Sequence, residues 1–200
     1  MGINFDSLAP MLALSSRERQ PRPSDHFVEF YEEDSYLVDT VARYVATGLA
    51  AGEAAIVVAT EPHARALEEA LASAGADART AREEGLLISL DALETLAVFM
   101  QKGVPSPAIF EEYIGSLIDS ASAGRRNVRV FGEMVAVLWA EGNITAALQL
   151  EDLWNNLAKT HAFRLFCGYP ISALGGGNLG PLRSVCQRHT HVIAAAQTSI

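Results

Sequence analysis

The chain has 200 residues, of which half are apolar and a fifth are charged, and its net charge is −9 at pH 7. This length and apolar content are enough for one α/β domain with a substantial core. The acidic balance repels a polyphosphate backbone, and the sequence lacks the basic stripe that nucleic-acid binding depends on. Direct nucleic-acid binding is therefore not expected.

The lack of a targeting signal in the sequence and the low number of cysteines indicate a cytoplasmic protein. No uncharged apolar run reaches the roughly eighteen residues that a membrane span needs, and the N-terminus lacks the pattern of a signal peptide. The two cysteines, Cys167 and Cys186, are too few for a disulfide scaffold, so we expect both to be free thiols. We expect a cytoplasmic protein that makes no contact with a membrane.

The chain divides into a leader, residues 1–24, and one domain, residues 25–196. The leader begins with a short apolar patch and ends in a polar run broken by prolines. Apolar runs in the domain predict five strands, and the longest of them suits a parallel strand covered on both faces. These predicted strands cover residues 26–31, 54–60, 86–90, 127–134 and 163–170.

Segments with helical periodicity separate the predicted strands. The later ones cover residues 92–102, 107–122, about 144–161 and 182–196, the last after a glycine-rich connection, "GGGNLGP". Strands alternating with helices predict a three-layer α/β/α domain with a mainly parallel sheet of about five strands.

The junction between the first strand and its helix, "FYEEDSYLVD", lies where many such sheets carry a glycine-rich phosphate loop. Here it carries Glu32, Glu33 and Asp34, with no glycine and no lysine. Acids at a helix N-terminus satisfy its free amides and complement its dipole. We expect these carboxylates to fill the anion site, so that ATP does not bind there.

Several segments resemble known families. Residues 37–91 resemble RecA/KaiC-type ATPases from which the phosphate loop has been removed. More specifically, "DHFVEFYEED", "FGEMVAVLWAEGN", "LEDLWNNL", "LFCGYP" and "VCQRHTHVI" resemble, in that order, the MEDS sensory family, the sensory domain of methanogens, methylotrophs and a dichloromethane-responsive repressor. The resemblance covers about residues 25–194.

This resemblance implies a RecA-like fold and a prokaryotic signal-input domain that senses a small molecule, such as a simple hydrocarbon derivative. It also implies an output protein such as a histidine kinase or an anti-sigma factor. The chain carries no kinase motif, so we expect it to act on a separate partner, with a homodimer also considered. The alternatives are a regulator that binds proteins without a ligand and a degenerate nucleotide-binding protein; we expect no enzymatic activity and no cofactor.

Ligands of open α/β sheets bind beyond the carboxyl ends of the strands. We predict a pocket there, between the loops of the fourth and fifth strands and the following helix. Its predicted lining combines aromatic walls with a few polar groups, and consists of Glu133, Trp139, Glu151, Trp154, Cys167 and Tyr169.

Structural roles compete with this interpretation. Glu151 falls inside an apolar helical stripe, so its carboxylate needs a partner, and a salt bridge to Arg129 or Arg164 is the simplest one. Glu133 is equally well explained as a helix-capping residue. The two tryptophans are more often core residues than ligand platforms, and Cys167 is more often a small buried apolar residue.

The segment "CQRHTH" suggests a metal or redox site, because Cys186 and His189 are three residues apart and can share a helical face. His191 lies on another face, and a four-ligand site needs Cys167, His26 or His161 from elsewhere. Hydrogen-bonded packing is the simpler interpretation, and it predicts well under one equivalent of zinc or iron in the purified protein. A Cys167 nucleophile with a histidine base has no local signature.

The acidic junction predicts that the protein does not bind ATP. Calorimetry with ATP and magnesium is expected to show no binding at micromolar concentrations, because the anion site is filled by carboxylates. A magnesium-dependent affinity in that range would contradict the prediction.

Overall fold

The computed structural model describes residues 24–123, 126–174 and 179–194. All but the last residue of the predicted leader, and residues 175–178 of the glycine-rich connection, lie outside this part of the chain.

A six-stranded parallel sheet forms the centre of the domain. Its strand order is β3-β2-β6-β7-β1-β8, so the first strand of the chain lies between the last two. The strands are β1 (His26–Tyr31), β2 (Ala54–Ala59), β3 (Leu87–Asp91), β6 (Val128–Gly132), β7 (Arg164–Pro170) and β8 (His191–Ala194), and a separate antiparallel hairpin is formed by β4 (Met100–Gln101) and β5 (Val104–Pro105).

Helices connect the strands and cover both faces of the sheet. They are α1 (Asp34–Ala50), α2 (Glu61–Ser73), α3 (Ala78–Glu83), α4 (Ala92–Phe99), α5 (Pro107–Ala121), α6 (Met134–Ala140), α7 (Ile144–Leu157) and α8 (Leu179–Cys186), with a short 3₁₀ turn at Ile171–Leu174.

Two apolar cores, one on each side of the sheet, follow from the alternation of side chains along the strands. All six residues of β2 are buried, as expected for a strand covered on both faces. Ile56 and Val58 pack under α4 to α7, whereas Val57 packs under α1 and α2. The three-layer α/β architecture predicted from the sequence is confirmed.

The end of the domain differs from the prediction. The predicted helix 182–196 is wrong in its second half, because helix α8 ends at Cys186 and His191–Ala194 forms the edge strand β8. Val192 and Ile193 are β-branched, and β8 pairs in parallel with β1. Thr190 fastens this strand to β1, since its N–H and its hydroxyl both donate to the carbonyl of His26, at 2.8 and 2.9 Å.

Smaller differences concern the boundaries of other elements. The fourth predicted strand ends at Gly132 rather than Met134, and the unpredicted helix α6 follows it. The helix predicted for 92–102 ends at Phe99, where the hairpin begins.

A buried ion-pair network joins the turn before β2 to β6 and β7. Glu53, which is 8% exposed, pairs with Arg129, accepts a 2.6 Å hydrogen bond from Arg164 and accepts another from Asn127. Burial opposes ionisation of Glu53, but hydrogen bonds and charge, above all from Arg129, outweigh it and lower the pKa of the carboxyl. The Arg129 side chain crosses α1 at Gly48, where a Cβ atom would lie 2.7 Å from it.

Glu29 is a buried acid of a different kind. It lies in the middle of β1, is fully buried, and neither carboxylate oxygen has a hydrogen-bond partner within the described chain. Burial raises the pKa of Glu29 to about 7, against opposing influences from the Tyr36 hydroxyl and the charge of Arg43. Burial thus favours the protonated form of Glu29.

No helix among the described residues combines the length and apolar character that crossing a bilayer requires.

Glu53→Gln is expected to lower the free energy of unfolding by about 2 kcal/mol at pH 7, because Arg129 and Arg164 lose their buried counterion. The low pKa of Glu53 contributes stability above the ordinary glutamate pKa, and this contribution disappears as the pH falls through the pKa in the folded protein. The difference between variant and wild type should therefore shrink in acid. Urea unfolding measures it, with Glu68→Gln, which breaks an exposed ion pair, as the control of smaller effect; equal losses in both variants would contradict the prediction.

Glu29→Gln is expected to remove part of the pH dependence of stability. Because folding raises the pKa of Glu29 from 4.5 to about 7, the wild type loses stability as the pH rises through this window, by about 3 kcal/mol in total. Glutamine stays neutral, so the variant should not show this loss. Urea unfolding between pH 5 and pH 8 tests it, and the exposed Glu32→Gln should keep the wild-type slope; an unchanged slope in Glu29→Gln would refute the assignment.

Candidate functional site

Five polar side chains lie buried between helix α7 and the sheet. His26 begins β1, Glu151 belongs to α7, Cys167 and Tyr169 belong to β7, and His189 lies in the connection between α8 and β8. We call these five residues the Glu151 cluster. The side chains of Glu151 and His189 are 0% exposed, so the cluster is closed to solvent.

Regular secondary structure brings the cluster together. Cys167 and Tyr169 are two residues apart on β7, so both side chains point to the same face of the sheet, where they join the core beneath α7. On α7, Glu151 lies within the buried stripe that contains Leu150 and Trp154. The sequence-based placement of Glu151 in an apolar stripe is correct.

The Glu151 carboxylate is the centre of the cluster. Its Oε1 accepts a 2.7 Å hydrogen bond from the Tyr169 hydroxyl. Its Oε2 lies 3.3 Å from Nε2 of His26, 3.5 Å from Nε2 of His189 and 3.9 Å from Sγ of Cys167. Nε2 of His26 is also 3.4 Å from that sulfur. One atom from each of His26, Glu151, Cys167 and His189 therefore lies within 4.8 Å of the others.

Hydrogen bonds on the far sides of the two imidazoles determine their tautomers. Nδ1 of His189 lies 2.7 Å from the carbonyl of Val185, which can only accept, so Nδ1 carries a proton. Asn155 donates its amide N–H to the carbonyl of Arg188, which leaves its Oδ1 to accept from Nδ1 of His26 at 3.1 Å. In the neutral imidazoles both Nε2 lone pairs therefore point toward Glu151.

The electrostatics of the cluster call for a positive charge beside Glu151. Burial opposes ionisation of this carboxyl, but the adjacent His189 and His26 and the Tyr169 hydrogen bond lower its pKa to about 2. Burial also lowers the pKa of His189 to about 4, which withdraws that imidazole as a source of charge at pH 7. Burial raises the pKa of the Cys167 thiol well above its ordinary range, so this thiol is a poor nucleophile.

The salt bridge suggested for Glu151 is not formed with either predicted arginine. Arg129 and Arg164 both pair with Glu53, on the other side of the sheet from α7. Glu151 instead has two histidines, a tyrosine and a cysteine as neighbours. Local sequence patterns did not reveal this choice, because each pairing joins segments far apart in the chain.

Glu133 belongs to a second polar group, at the carboxyl ends of β2 and β6. Its carboxylate accepts from the backbone N–H of Thr60 at 2.7 Å, accepts from the Thr60 hydroxyl at 3.2 Å, and pairs with His63. The hydrogen bond to Glu133 raises the pKa of His63. Of the two predicted roles the contacts are those of a capping carboxylate, although the capped N–H is at the start of α2 rather than of α6.

The acidic junction after β1 does not cap its helix in the predicted way. Glu33 is the N-cap residue of α1, but its side chain makes no capping hydrogen bond, and only its backbone carbonyl engages the first turn. Asp34 lies in that turn, where it complements the dipole, and its carboxylate is 3.5 Å from Nε2 of His63. The acids at this junction therefore act mainly through charge.

The remaining predicted pocket residues separate into two groups. Trp139 packs edge-on against Tyr169 with ring centroids 5.5 Å apart, so it borders the cluster. Trp154 instead packs edge-on against Phe110 and Phe163, in the apolar core. The structure thus brings four of the six together, Trp139, Glu151, Cys167 and Tyr169, on a sheet face under α7 rather than in an open crevice. Their role in ligand binding stays a prediction.

The candidate metal and redox residues are also divided. His26 and His189 lie in the cluster, but Cys186 ends α8 and is not one of the grouped ligands, whose sulfur is that of Cys167. His161 lies 3.6 Å from Asp119, and His191 lies 3.5 Å from Asp25 and stacks on Phe27. Asn155, which orients His26, was not among the predicted residues, although it lies four residues after Glu151 on the same helical face.

Comparisons with known proteins identify the family and the fold of the chain. The profile of the MEDS family, described as the methanogen/methylotroph, DcmR sensory domain, matches residues 25–189. A KaiC-like protein from the hyperthermophilic archaeon Pyrococcus horikoshii OT3 has a similar structure, with a TM-score of 0.57 and 15% sequence identity over 87% of this chain and 73% of that one. At this identity the similarity shows the fold alone. Comparison with curated proteins gives no match. Because the family profile covers most of the chain, the protein belongs to the MEDS family of sensory domains.

Proposed function

We propose that the protein is a non-catalytic signal-input domain, and that the Glu151 cluster is its sensory centre. The observation that carries this proposal is a carboxylate with 0% exposure, held in an apolar core without a fixed cationic partner. Burying an uncompensated carboxylate costs roughly several kcal/mol. Such a group is therefore poorly suited to a purely structural role. The state of such a site depends on whether the group that balances the buried charge is present, which suits the site to sensing that group.

The neighbourhood of the cluster supports transmission of that response. Its members come from β1, β7, α7 and the connection to β8, so any change in the cluster acts on several elements at once. Arg188, next to His189, forms a bidentate ion pair with Asp152, next to Glu151, at 2.8 and 2.9 Å. This pair extends from the buried site to the surface, and β8 is the edge of the described sheet.

The same features argue against two alternatives. The junction after β1 has the acids of Glu32 to Asp34 where a nucleotide-binding sheet has a phosphate loop, which disfavours ATP as the ligand. The Cys167 thiol is fully buried and its pKa is raised, which disfavours covalent catalysis. We propose that the domain acts on a separate regulatory protein, such as a histidine kinase or an anti-sigma factor, in the cytoplasm.

Transcript profiling in the source organism tests the proposal. Deleting the gene is expected to change a defined set of transcripts, and the wild-type gene should restore them. Glu151→Gln, expressed at the same level, should fail to restore them because the sensory centre has lost its charge, whereas the exposed Glu141→Gln should succeed. Full restoration by Glu151→Gln would show that the cluster is not the sensory centre.

A further inference from the structure

We propose that His26, Glu151, Cys167 and His189 bind one divalent transition-metal ion, with zinc as the best match. The inference deepens the proposed function, since it names what balances the charge of the cluster. Only the sensory role of the ion rests on the proposed function. The coordination chemistry rests on the geometry of the cluster.

The direction of the imidazole lone pairs supports a bound cation. Val185 and Asn155 accept from the Nδ1 atoms, so neutral His189 and His26 present unprotonated Nε2 atoms to Oε2 of Glu151. An ionised carboxylate is only an acceptor. Nε2 of His189 accordingly has no hydrogen-bond partner, although its side chain is 0% exposed. Acceptors that converge on one buried point are stabilised when a cation lies between them.

The second argument is the spacing of the four ligand atoms. An ion with nitrogen and oxygen ligands at about 2.0 Å and a sulfur ligand at about 2.3 Å separates neighbouring ligands of a tetrahedron by about 3.3–3.5 Å. Oε2 of Glu151 lies 3.3 and 3.5 Å from the two Nε2 atoms, and Sγ of Cys167 lies 3.4 Å from Nε2 of His26. The separation of Oε2 and Sγ, 3.9 Å, is slightly larger. Small side-chain shifts complete the tetrahedron.

The third argument is charge. A divalent ion deprotonates a coordinating thiol, so Cys167 and Glu151 would contribute two negative charges that the ion neutralises. A monovalent ion would leave one uncompensated negative charge in the apolar core, which is costly. A divalent ion therefore matches the buried site.

The fourth argument is the set of hydrogen bonds around the ligands. Histidine ligands of metals almost always donate their second N–H to a carbonyl, carboxylate or water, as His26 and His189 do here. The hydroxyl of Tyr169 donates to Oε1 of Glu151, which leaves Oε2 for the ion. The residues that hold the ligands are thus already in place.

The ligand types restrict the ion. Two imidazoles, a thiolate and a carboxylate suit zinc and other late divalent metals, whereas calcium and magnesium take oxygen ligands. Four protein ligands in a site without solvent access leave no position for a reacting water, which is typical of a structural or regulatory ion rather than a catalytic one. This proposal departs from our expectation of no metal, which centred on Cys186 and His189 and named Cys167, His26 and His161 only as ligands that would have to come from elsewhere.

Elemental analysis of the full chain, purified without chelator, tests the site. The wild type is expected to hold about one equivalent of zinc or another late divalent metal. Cys167→Ser and His189→Gln should each hold far less. The matched controls Cys186→Ser and His191→Gln should keep the metal, because these residues lie outside the cluster.

A cobalt titration of the metal-free chain keeps the test independent of whether the variants fold. Co²⁺ is expected to produce a thiolate-to-metal charge-transfer band in the wild type and in Cys186→Ser, and circular dichroism checks that each protein is folded. Two results would overturn the proposal: no stoichiometric zinc or cobalt in folded wild type after loading, or loss of the band in Cys186→Ser.

The metal site and the sensory role of the Glu151 cluster can be refuted independently of each other. Absence of metal together with failed restoration by Glu151→Gln would leave the cluster a sensory centre for another ligand and would refute the ion. Stoichiometric metal lost in Cys167→Ser, together with full restoration by Glu151→Gln, would establish the ion site and refute its sensory role.

Discussion

The burial of the Glu151 carboxylate is the constraint on which the rest of this site depends. A charge with no exposure must be compensated within a few ångströms, because water cannot reach it. Three other segments of the chain, β1, β7 and the connection before β8, meet that demand by placing two imidazoles, a phenol and a thiol around it. The edge strand β8 and the connection before it are arranged so that His189 can take part.

Outside the cluster the described residues include four buried acids, and three of them, Glu29, Glu53 and Glu133, show how differently the fold accommodates such a group. Glu53 is neutralised by two arginines, and Glu133 by His63 and the N–H of Thr60, so both are compensated within their own surroundings. Glu29 has no such partner, and burial favours its protonated form. Glu151 differs from these three because the Nε2 lone pairs of two neutral imidazoles converge on it.

Local patterns in the sequence predicted the layers of the fold and the position of Glu151. The continuous apolar run of β2 and the helical stripe of α7 can be predicted from the sequence, because each pattern involves residues that are close together in the chain. The partners of Glu151 could not be predicted in this way. Strand pairing places Arg164 beside Glu53 rather than Glu151. The sulfur beside Glu151 is that of Cys167 on β7, and not that of Cys186 at the end of α8.

The predicted final helix failed for a related reason. The segment around Val192 is short and apolar, and such a segment is compatible with either helix or strand when taken alone. Its pairing with β1, more than 150 residues earlier in the chain, decides the outcome. The family resemblance was confirmed although the final helix was wrong, because the resemblance relied on an ordered set of segments rather than on any one secondary-structure assignment.

The strand order has a consequence for how the chain folds during synthesis. β1 leaves the ribosome first, yet both of its neighbours, β7 and β8, are made last. Its hydrogen-bonding edges, and His26 at its start, therefore stay without their native partners until almost the whole domain has been translated. Contacts of such long sequence separation slow folding and lengthen the time for which an unpaired strand is exposed to aggregation. The Glu151 cluster can therefore be assembled only after the connection before β8, which carries His189, has been translated.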